Sequence, residues 1–277
     1  MRLQRNRMKY LALLGALPWL PMVHAQSTTA KKEAPPSQSQ ALPGVATGFD
    51  AQQEGASSHW GLGGGIAAEG LPYKGFGTRV LPAPYVFYEN RWISFIGTTF
   101  DLNAWQGDGF TFSLRTKFSL FDGYTHSDAT IFHGMANRNG AIWYGPHVGW
   151  HYGQFSISTE YLSSNRGHQG ELSLERGFDF GRWRIAPHVE FQYMNRKYVD
   201  YYYGVRPTEV TPTRPVYDGK STVNASVGAS VTWRLDARQS IRGDVGITQF
   251  GSGITDSPLV GKKTAPSIMV GYIYRFK

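Results

Sequence analysis

The side chains best suited to bond-breaking chemistry lie in LSSNRGHQGE, where Ser163, Ser164 and His168 share a short stretch and Glu171 follows three residues later. A hydroxyl, an imidazole and a carboxylate are the parts of a nucleophile, its base and the group that orients the base. No oxyanion-stabilising device accompanies them, and serines and histidines are common in loops, so hydrolysis is a minor reading. His147 and His151 share one face, but four extended residues separate them by roughly 13 Å, too far to grip one metal ion. His126 and His133 offer only a pair on a long loop. Gly63-Gly64-Gly65 imitates the start of a dinucleotide fingerprint, yet no helical pattern follows it, and the glycines fit a strand that bends or packs closely. The residues thus predict no catalytic group, no cofactor and no metal.

What must position these side chains is a series of strands. In WRIAPHVEFQY the set Trp183, Ile185, Pro187, Val189, Phe191 and Tyr193 opposes Arg184, Ala186, His188, Glu190 and Gln192. The same two-residue repeat runs through TVNASVGASVTWRLD, through FTFSLRTKFSL with an interruption at Thr116, and through the closing SIMVGYIYRFK. Further candidates cover 60–69, 78–88, 92–103, 142–152, 155–162, 171–180 and 239–249. A repeat of about 10 residues is what a tilted strand needs to cross a bilayer, whereas soluble strands average about 5–6. Aromatics cluster near strand ends, as two girdles flanking a lipid-facing band require. Arg176 is out of place in this pattern, because it falls among Leu172, Leu174, Phe178 and Phe180; it needs a bulge or an interfacial position. The fold class is therefore all-β, an antiparallel transmembrane β-barrel.

The links are short at 89–91, 153–154, 181–182 and 237–238, and long at about 122–140, 195–220 and 250–264. Short turns belong on the periplasmic side and long loops outside. Eleven strands are visible, and the turn at 89–91 then falls on the wrong side. An even count requires a further crossing hidden in 122–140 or 92–103, or else one false strand, so twelve strands are expected, with ten as the alternative.

Composition agrees. The 277 residues include no cysteine, 33 glycines, 8 Trp, 16 Tyr and 16 Phe, with 17% charged residues and a mean hydropathy of -0.35. Past the N-terminus no apolar run is long enough for a membrane helix. At the N-terminus, Arg2, Arg5, Arg7 and Lys9 precede the apolar LALLGALPWLPMV and the small-residue site Val23-His24-Ala25, which reads as a secretory signal peptide over 1–25, removed after Ala25. Its loss lowers the formal charge from +8 to about +4, which removes the main support for nucleic-acid binding. Residues 26–59, rich in Ser, Gln, Ala and Pro, are expected to be a disordered periplasmic leader with a reach of roughly 30 Å. The barrel then occupies 60–277.

If the alternation holds, the lumen receives Arg115, Lys117, His147, His151, Glu160, Glu171, Glu175, Asp179, Arg184, His188, Glu190, Arg234, Arg242 and Asp244. Both signs are present, and in a narrow barrel opposite charges on neighbouring strands are expected to pair and fill the lumen. A small-solute path through it is the competing reading.

Specific motifs name a family. The run VDYYYGVRPTEVTPTRPVYDG, with Tyr201-Tyr202-Tyr203-Gly204-Val205, Glu209, Arg214, Pro215 and Tyr217, is followed by TDSPLVGKK (Asp256, Ser257, Pro258, Leu259, Val260) and by GYIYRF. In order and spacing this resembles the MltA-interacting protein family, MipA/OmpV, from about Trp60 onward. Lys277, after the terminal Phe276, and the long leader depart from the family pattern. The resemblance implies a bacterial outer-membrane barrel without enzymatic activity, in contact with outer-membrane lipid. It also implies a scaffold joining a lytic transglycosylase to a penicillin-binding protein, with a porin-like channel as runner-up. The tyrosines of YYYGV read as interfacial anchors with Gly204 easing a turn, and DSPLV reads as a turn in which Asp256 or Ser257 bonds nearby amides while Pro258 fixes φ. For both motifs, architecture is the first reading and partner or ligand recognition the second.

Overall fold

A computed structural model of the chain describes residues 58–276. The signal peptide, nearly all of the leader and Lys277 lie outside the described residues. Thirteen segments follow in order: β1 (His59–Gly70), β2 (Thr78–Glu89), β3 (Ile93–Ile96), β4 (Thr99–Gly107), β5 (Phe110–Tyr124), β6 (Arg138–Tyr152), β7 (Phe155–Ser164), β8 (Gly167–Arg176), β9 (Phe178–Phe180), β10 (Trp183–Met194), β11 (Thr222–Arg234), β12 (Gln239–Gln249) and β13 (Thr264–Arg275). Among the described residues the long loops carry two α-helices, α1 (Arg196–Tyr203) and α2 (Ser252–Thr255), and two 3-10 turns, Thr130–Phe132 and Pro207–Glu209. None of the described helices is long and apolar enough to cross a membrane.

Every pairing is antiparallel, β1 pairs with β13, and β10 pairs with β11, so the sheet closes on itself. β9 continues the line of β8 along β10, and the thirteen segments therefore make twelve wall strands. The additional strand lies within 92–103: that stretch divides at Gly97-Thr98 into β3, four residues long, and β4, which pair with each other. With this division the turn at 90–92 falls on the same rim as the other short turns. A left-handed pair, Asp108 (φ 51°) and Gly109 (φ 79°), makes one such turn, as the twist of a two-residue hairpin demands.

The apolar side of the repeat faces outward. Ile66, Val80, Leu114, Val227 and Ile268 are all exposed, Ile66 at 63%. In water each such side chain would forgo about 1.5–3 kcal/mol of burial, so this belt is fitted to hydrocarbon. Stacked cross-strand aromatics ring the short-turn rim: Trp60 on Phe276 at 4.1 Å, Trp183 on Trp233 at 5.3 Å and Phe110 on Trp150 at 5.6 Å. The loop rim is more sparsely marked by exposed Tyr144, Tyr161 and Tyr193. Arg176 ends β8 at the break before β9, with its guanidinium over the rings of Phe155 (4.9 Å) and Phe178 (4.7 Å), an interfacial position among aromatics.

The glycines of β1 serve the seam. A Cβ on Gly63 would lie 2.2 Å from the carbonyl oxygen of Tyr272, and one on Gly65 would lie 2.3 Å from that of Val270. Only hydrogen at these positions lets β1 approach β13 closely enough to close the wall.

Candidate functional site: the braced lumen and its cap

Inward side chains of β4 through β8 form one charge ladder. Arg115 donates to Asp101 through Nε at 2.8 Å and Nη2 at 2.7 Å, and reaches Glu160 through Nη1 at 2.7 Å. Lys117 Nζ lies 2.7 Å from the other Glu160 oxygen and 3.7 Å from Glu171. Arg115 and Glu160 are almost wholly buried, and each guanidinium or carboxylate edge meets an opposite charge, which is what allows charges to persist out of water. On the adjoining wall, His188 Nδ1 of β10 lies 3.9 Å from Asp244 of β12, and Glu190 is buried on the next inward position of β10, the strand that pairs with β8. At the short-turn rim Asp179 bridges Arg184 (3.0 Å) and Arg234 (2.9 Å), more exposed than the central ladder. Of the lumen charges expected from the sequence, Arg115, Lys117, Glu160 and Glu171 meet in a central braced group, His188 and Asp244 approach each other on the adjoining wall, and Arg184 and Arg234 meet Asp179 at the rim.

The loop mouth is filled by the two sequence motifs. Asn195 caps α1 by accepting from Tyr198 N (2.9 Å), and it also accepts from His168 N (3.1 Å), fixing the helix to the β7–β8 hairpin. Tyr198 and Tyr202 then pack on the inward side chains Trp143 and Leu162, both fully buried. This overturns the interfacial-anchor reading of the tyrosines: Tyr201, Tyr202 and Tyr203 belong to a helix folded against the inner wall. Tyrosine has modest helix propensity, and here the cap and the tertiary contacts decide. Gly204 has an ordinary φ of -72°, but a Cβ would lie 2.2 Å from the Asp200 carbonyl oxygen, so close approach requires glycine. Val205 joins a buried cluster with Tyr73, Tyr124, Phe132 and Leu259.

Polar braces hold this cap together. Ser257 Oγ donates to Tyr203 O at 2.6 Å and accepts from Leu259 N at 3.2 Å, the backbone-amide bond expected of the DSPLV turn. Asp256 and Pro258 flank it, exposed and half-buried respectively. Arg138 spends its guanidinium on Tyr201 O (2.7 Å), Ala136 O (2.8 Å) and both oxygens of Glu209 (3.0 and 2.8 Å). Burial pushes the Glu209 carboxyl up, but the Arg138 bond and the amides of Ala136 and Arg206 outweigh it and hold the carboxyl below the usual glutamate range. Arg214 donates to the main-chain oxygens of Glu209 (2.8 Å), His133 (3.1 Å) and Ile131. Tyr217 Oη donates to Gly253 O at 2.8 Å. Sequence reasoning missed Arg138 and Tyr73 as parts of the cap. Arg138 carried no signal because Tyr201 and Glu209, the partners that tie it to the cap, lie 63 and 71 residues away.

The hydrolase set does not assemble. Ser163 Oγ lies 2.8 Å from His168 Nδ1. These two side chains share the outward face of the β7–β8 hairpin, while Glu171, three positions on, points inward to Lys117. Odd spacing along a strand reverses the face, so the carboxylate cannot orient that imidazole. His126 bonds Asn137 through its ring nitrogen (3.2 Å), and among the described residues no group of three or more His, Asp or Glu gathers as a metal site.

The comparisons with known proteins bear on the whole barrel. A family model described as MltA-interacting protein MipA matches residues 61–276. The MltA-interacting protein of Escherichia coli is 22% identical over 229 residues, covering 80% of this chain and 92% of that one. YiaT of Escherichia coli is 22% identical over 227 residues, covering 79% and 92%. The outer membrane protein Omp26La of Vibrio anguillarum is 26% identical over 141 residues, covering 50% and 55%. Among solved structures, an outer membrane channel from Pseudomonas putida aligns with a TM-score of 0.37 at 9% identity, over 84% of this chain and 100% of the other. A porin aligns with a TM-score of 0.33 at 8% identity, over 79% and 100%. With a match that runs from the third residue of β1 to the last described residue, the chain belongs to the MltA-interacting protein (MipA) family of outer membrane barrels.

Proposed function

We propose that this chain is a non-catalytic outer-membrane scaffold whose periplasmic rim brings together a murein hydrolase of the lytic transglycosylase type and a murein synthase of the penicillin-binding type. The observation that carries this reading is the braced interior: the buried Arg115–Asp101–Glu160–Lys117 ladder ties the inner faces of β4, β5 and β7 together, and the tyrosines of α1 pack on the inner wall at Trp143 and Leu162. A barrel braced in this way is suited to holding a rigid rim rather than to passing solute. The name of the Escherichia coli relative supports the hydrolase as one partner. Crosslinking in intact cells, followed by identification of the captured proteins, tests it: recovery of murein hydrolase and synthase together is expected, and their consistent absence overturns it.

A porin-like role is the second reading, favoured by the polar, two-signed inner surface. Planar-bilayer recordings separate the two. A scaffold gives no conductance steps, whereas a pore gives steps that change when Arg184 or Glu190 is reversed in charge.

A further inference from the structure

The exposed tyrosines of the loop rim gather on one side of the barrel. Tyr144, Tyr161 and Tyr193 stand on β6, β7 and β10, and strand register places Gly170 of β8 directly between Tyr161 and Tyr193. An outward depression of about 470 Å³ opens there, with Gly170 as its floor, Leu172 and Phe191 one layer deeper and Val223 on its far side. Its volume lies in the range of small-molecule sites, roughly 300–1,000 Å³.

Nothing in the wall demands glycine at position 170. A Cβ there would meet only ordinary contacts, Glu160 O and Tyr161 Cδ2 at 3.5 Å and Tyr193 Cβ at 4.0 Å, unlike Gly63 and Gly65, whose Cβ would strike main-chain oxygens. The missing side chain therefore does not serve strand approach; it keeps the gap between two rings open. Thr159, in register with Leu172, donates its hydroxyl to Glu171 O at 2.9 Å, so its polar atom is satisfied. Glu160 and Glu171 border the depression, but their carboxylates turn inward to Lys117.

Above the tyrosines the surface becomes basic. His168, one outward position toward the loops, stacks on Tyr161 at 5.9 Å and uses Nδ1 on Ser163 at 2.8 Å. Arg166 heads the same hairpin, its guanidinium over the Tyr201 ring at 4.2 Å and its Nε without a hydrogen-bond partner among the described residues. The first turn of α1 is seated against this hairpin, where a Cβ on Gly167 would lie 2.6 Å from Tyr198 N, and it carries the exposed Arg196 and Lys197. Asp200, the carboxylate on the same helix, accepts from Gly219 N at 3.0 Å. Four residues of strand separate Arg166 from Gly170, roughly 13 Å of chain and, at a tilt of about 45°, roughly 9 Å of depth. A headgroup layer is about 5–8 Å thick on each side. Basic groups at headgroup level thus leave the depression among acyl chains.

We propose that this face binds one anionic lipid of the loop-side leaflet, its acyl chain lying over Gly170 between Tyr161 and Tyr193 and its phosphate held by Arg166, Arg196 and Lys197. Apolar walls below a cationic ledge match the two ends of such a lipid, whereas a zwitterionic lipid would bring its own cation to the ledge. The proposal rests on the barrel spanning a membrane and is independent of the scaffold reading.

Native mass spectrometry of the delipidated protein in detergent compares dioleoyl phosphatidic acid with dioleoyl phosphatidylcholine, which carries the same chains. The wild-type protein is expected to retain phosphatidic acid at several-fold lower lipid concentration. Arg166→Gln combined with Lys197→Gln should bring the two lipids level, and Gly170→Leu, which fills the floor, should weaken both several-fold. Equal retention of the two lipids by wild type, a preference untouched by the charge variant, or wild-type binding by Gly170→Leu overturns the proposal. So does a wild-type dimer that Gly170→Leu dissolves, which would give the depression to a second copy of the chain. Heat-dependent gel mobility confirms folding, and Thr159→Leu fills the same floor should Gly170→Leu fail to assemble.

Discussion

Ser257 Oγ donates a 2.6 Å hydrogen bond to the carbonyl oxygen of Tyr203, 54 residues earlier, and so ties the two loop motifs into one cap. Ser257 is buried, so removing the hydroxyl strands the Tyr203 carbonyl and the Leu259 amide away from water. A buried group left unsatisfied costs about 1–3 kcal/mol. Ser257→Ala is expected to raise protease sensitivity at 195–221 and 250–263 while strand content, read by circular dichroism, stays at the wild-type level. Unchanged cleavage of both loops would remove the bond from the account of the cap.

The Arg138–Glu209 pair should make the cap acid-sensitive. The folded Glu209 carboxyl titrates below its ordinary value, so its contribution is complete above about pH 4.3 and is lost as pH falls through the lower folded value. Limited proteolysis across pH 3 to 7 should show loop cleavage rising at the acid end. Glu209→Gln keeps the shape but removes the charge, and it should abolish most of that acid dependence while loosening the loops at neutral pH. An acid profile identical to wild type would exclude Glu209 as the titrating group.

In the lumen, Arg115 faces two carboxylates. Arg115→Met would leave Asp101 and Glu160 with one fewer cation between them, and breaking a buried pair by removing one partner costs about 3–5 kcal/mol. Urea unfolding in detergent or lipid should show this loss. Adding Asp101→Asn should recover part of it, because the uncompensated charge is then removed. A double variant as unstable as the single one would mean that packing, not charge, sets the cost.

At the seam, Gly63→Val places a side chain where a Cβ alone would lie 2.2 Å from the Tyr272 carbonyl oxygen. Backbone cannot yield as a flexible side chain can, so β1 should fail to dock on β13 and the heat-resistant folded band on gels should be lost. Gly64→Val, where nothing lies within 4 Å of the added Cβ, should assemble normally. Equal yields of folded barrel from both variants would refute the close-approach argument.

Much of the wall was legible in the chain, because alternation on a strand is a local property: Trp183 to Tyr193 and Val223 to Trp233 announce their lipid face without reference to any neighbour. The motif residues Glu209, Arg214 and Tyr217 were visible as a pattern, but their roles were not; for Ser257 the turn bond from the Leu259 amide was legible and the bond to Tyr203, 54 residues earlier, was not. Arg138 could not be found at all, since nothing near it in sequence marks it as the partner of Glu209. The short strand β3 was hidden because a single glycine inside a strand pattern signals a bulge as readily as a turn, so 92–103 reads as one crossing although Gly97 (φ 58°) turns the chain back.

Amino-acid order alone determined an outward apolar set, an inward polar set and a rim of aromatics, because side-chain direction follows from position along each strand. Closure of the twelve-strand wall and the seating of the YYYGV helix against Trp143 were decided only in three dimensions. Each depends on which edges and loops meet across long stretches of chain, and that is fixed by packing and hydrogen-bond satisfaction rather than by local periodicity.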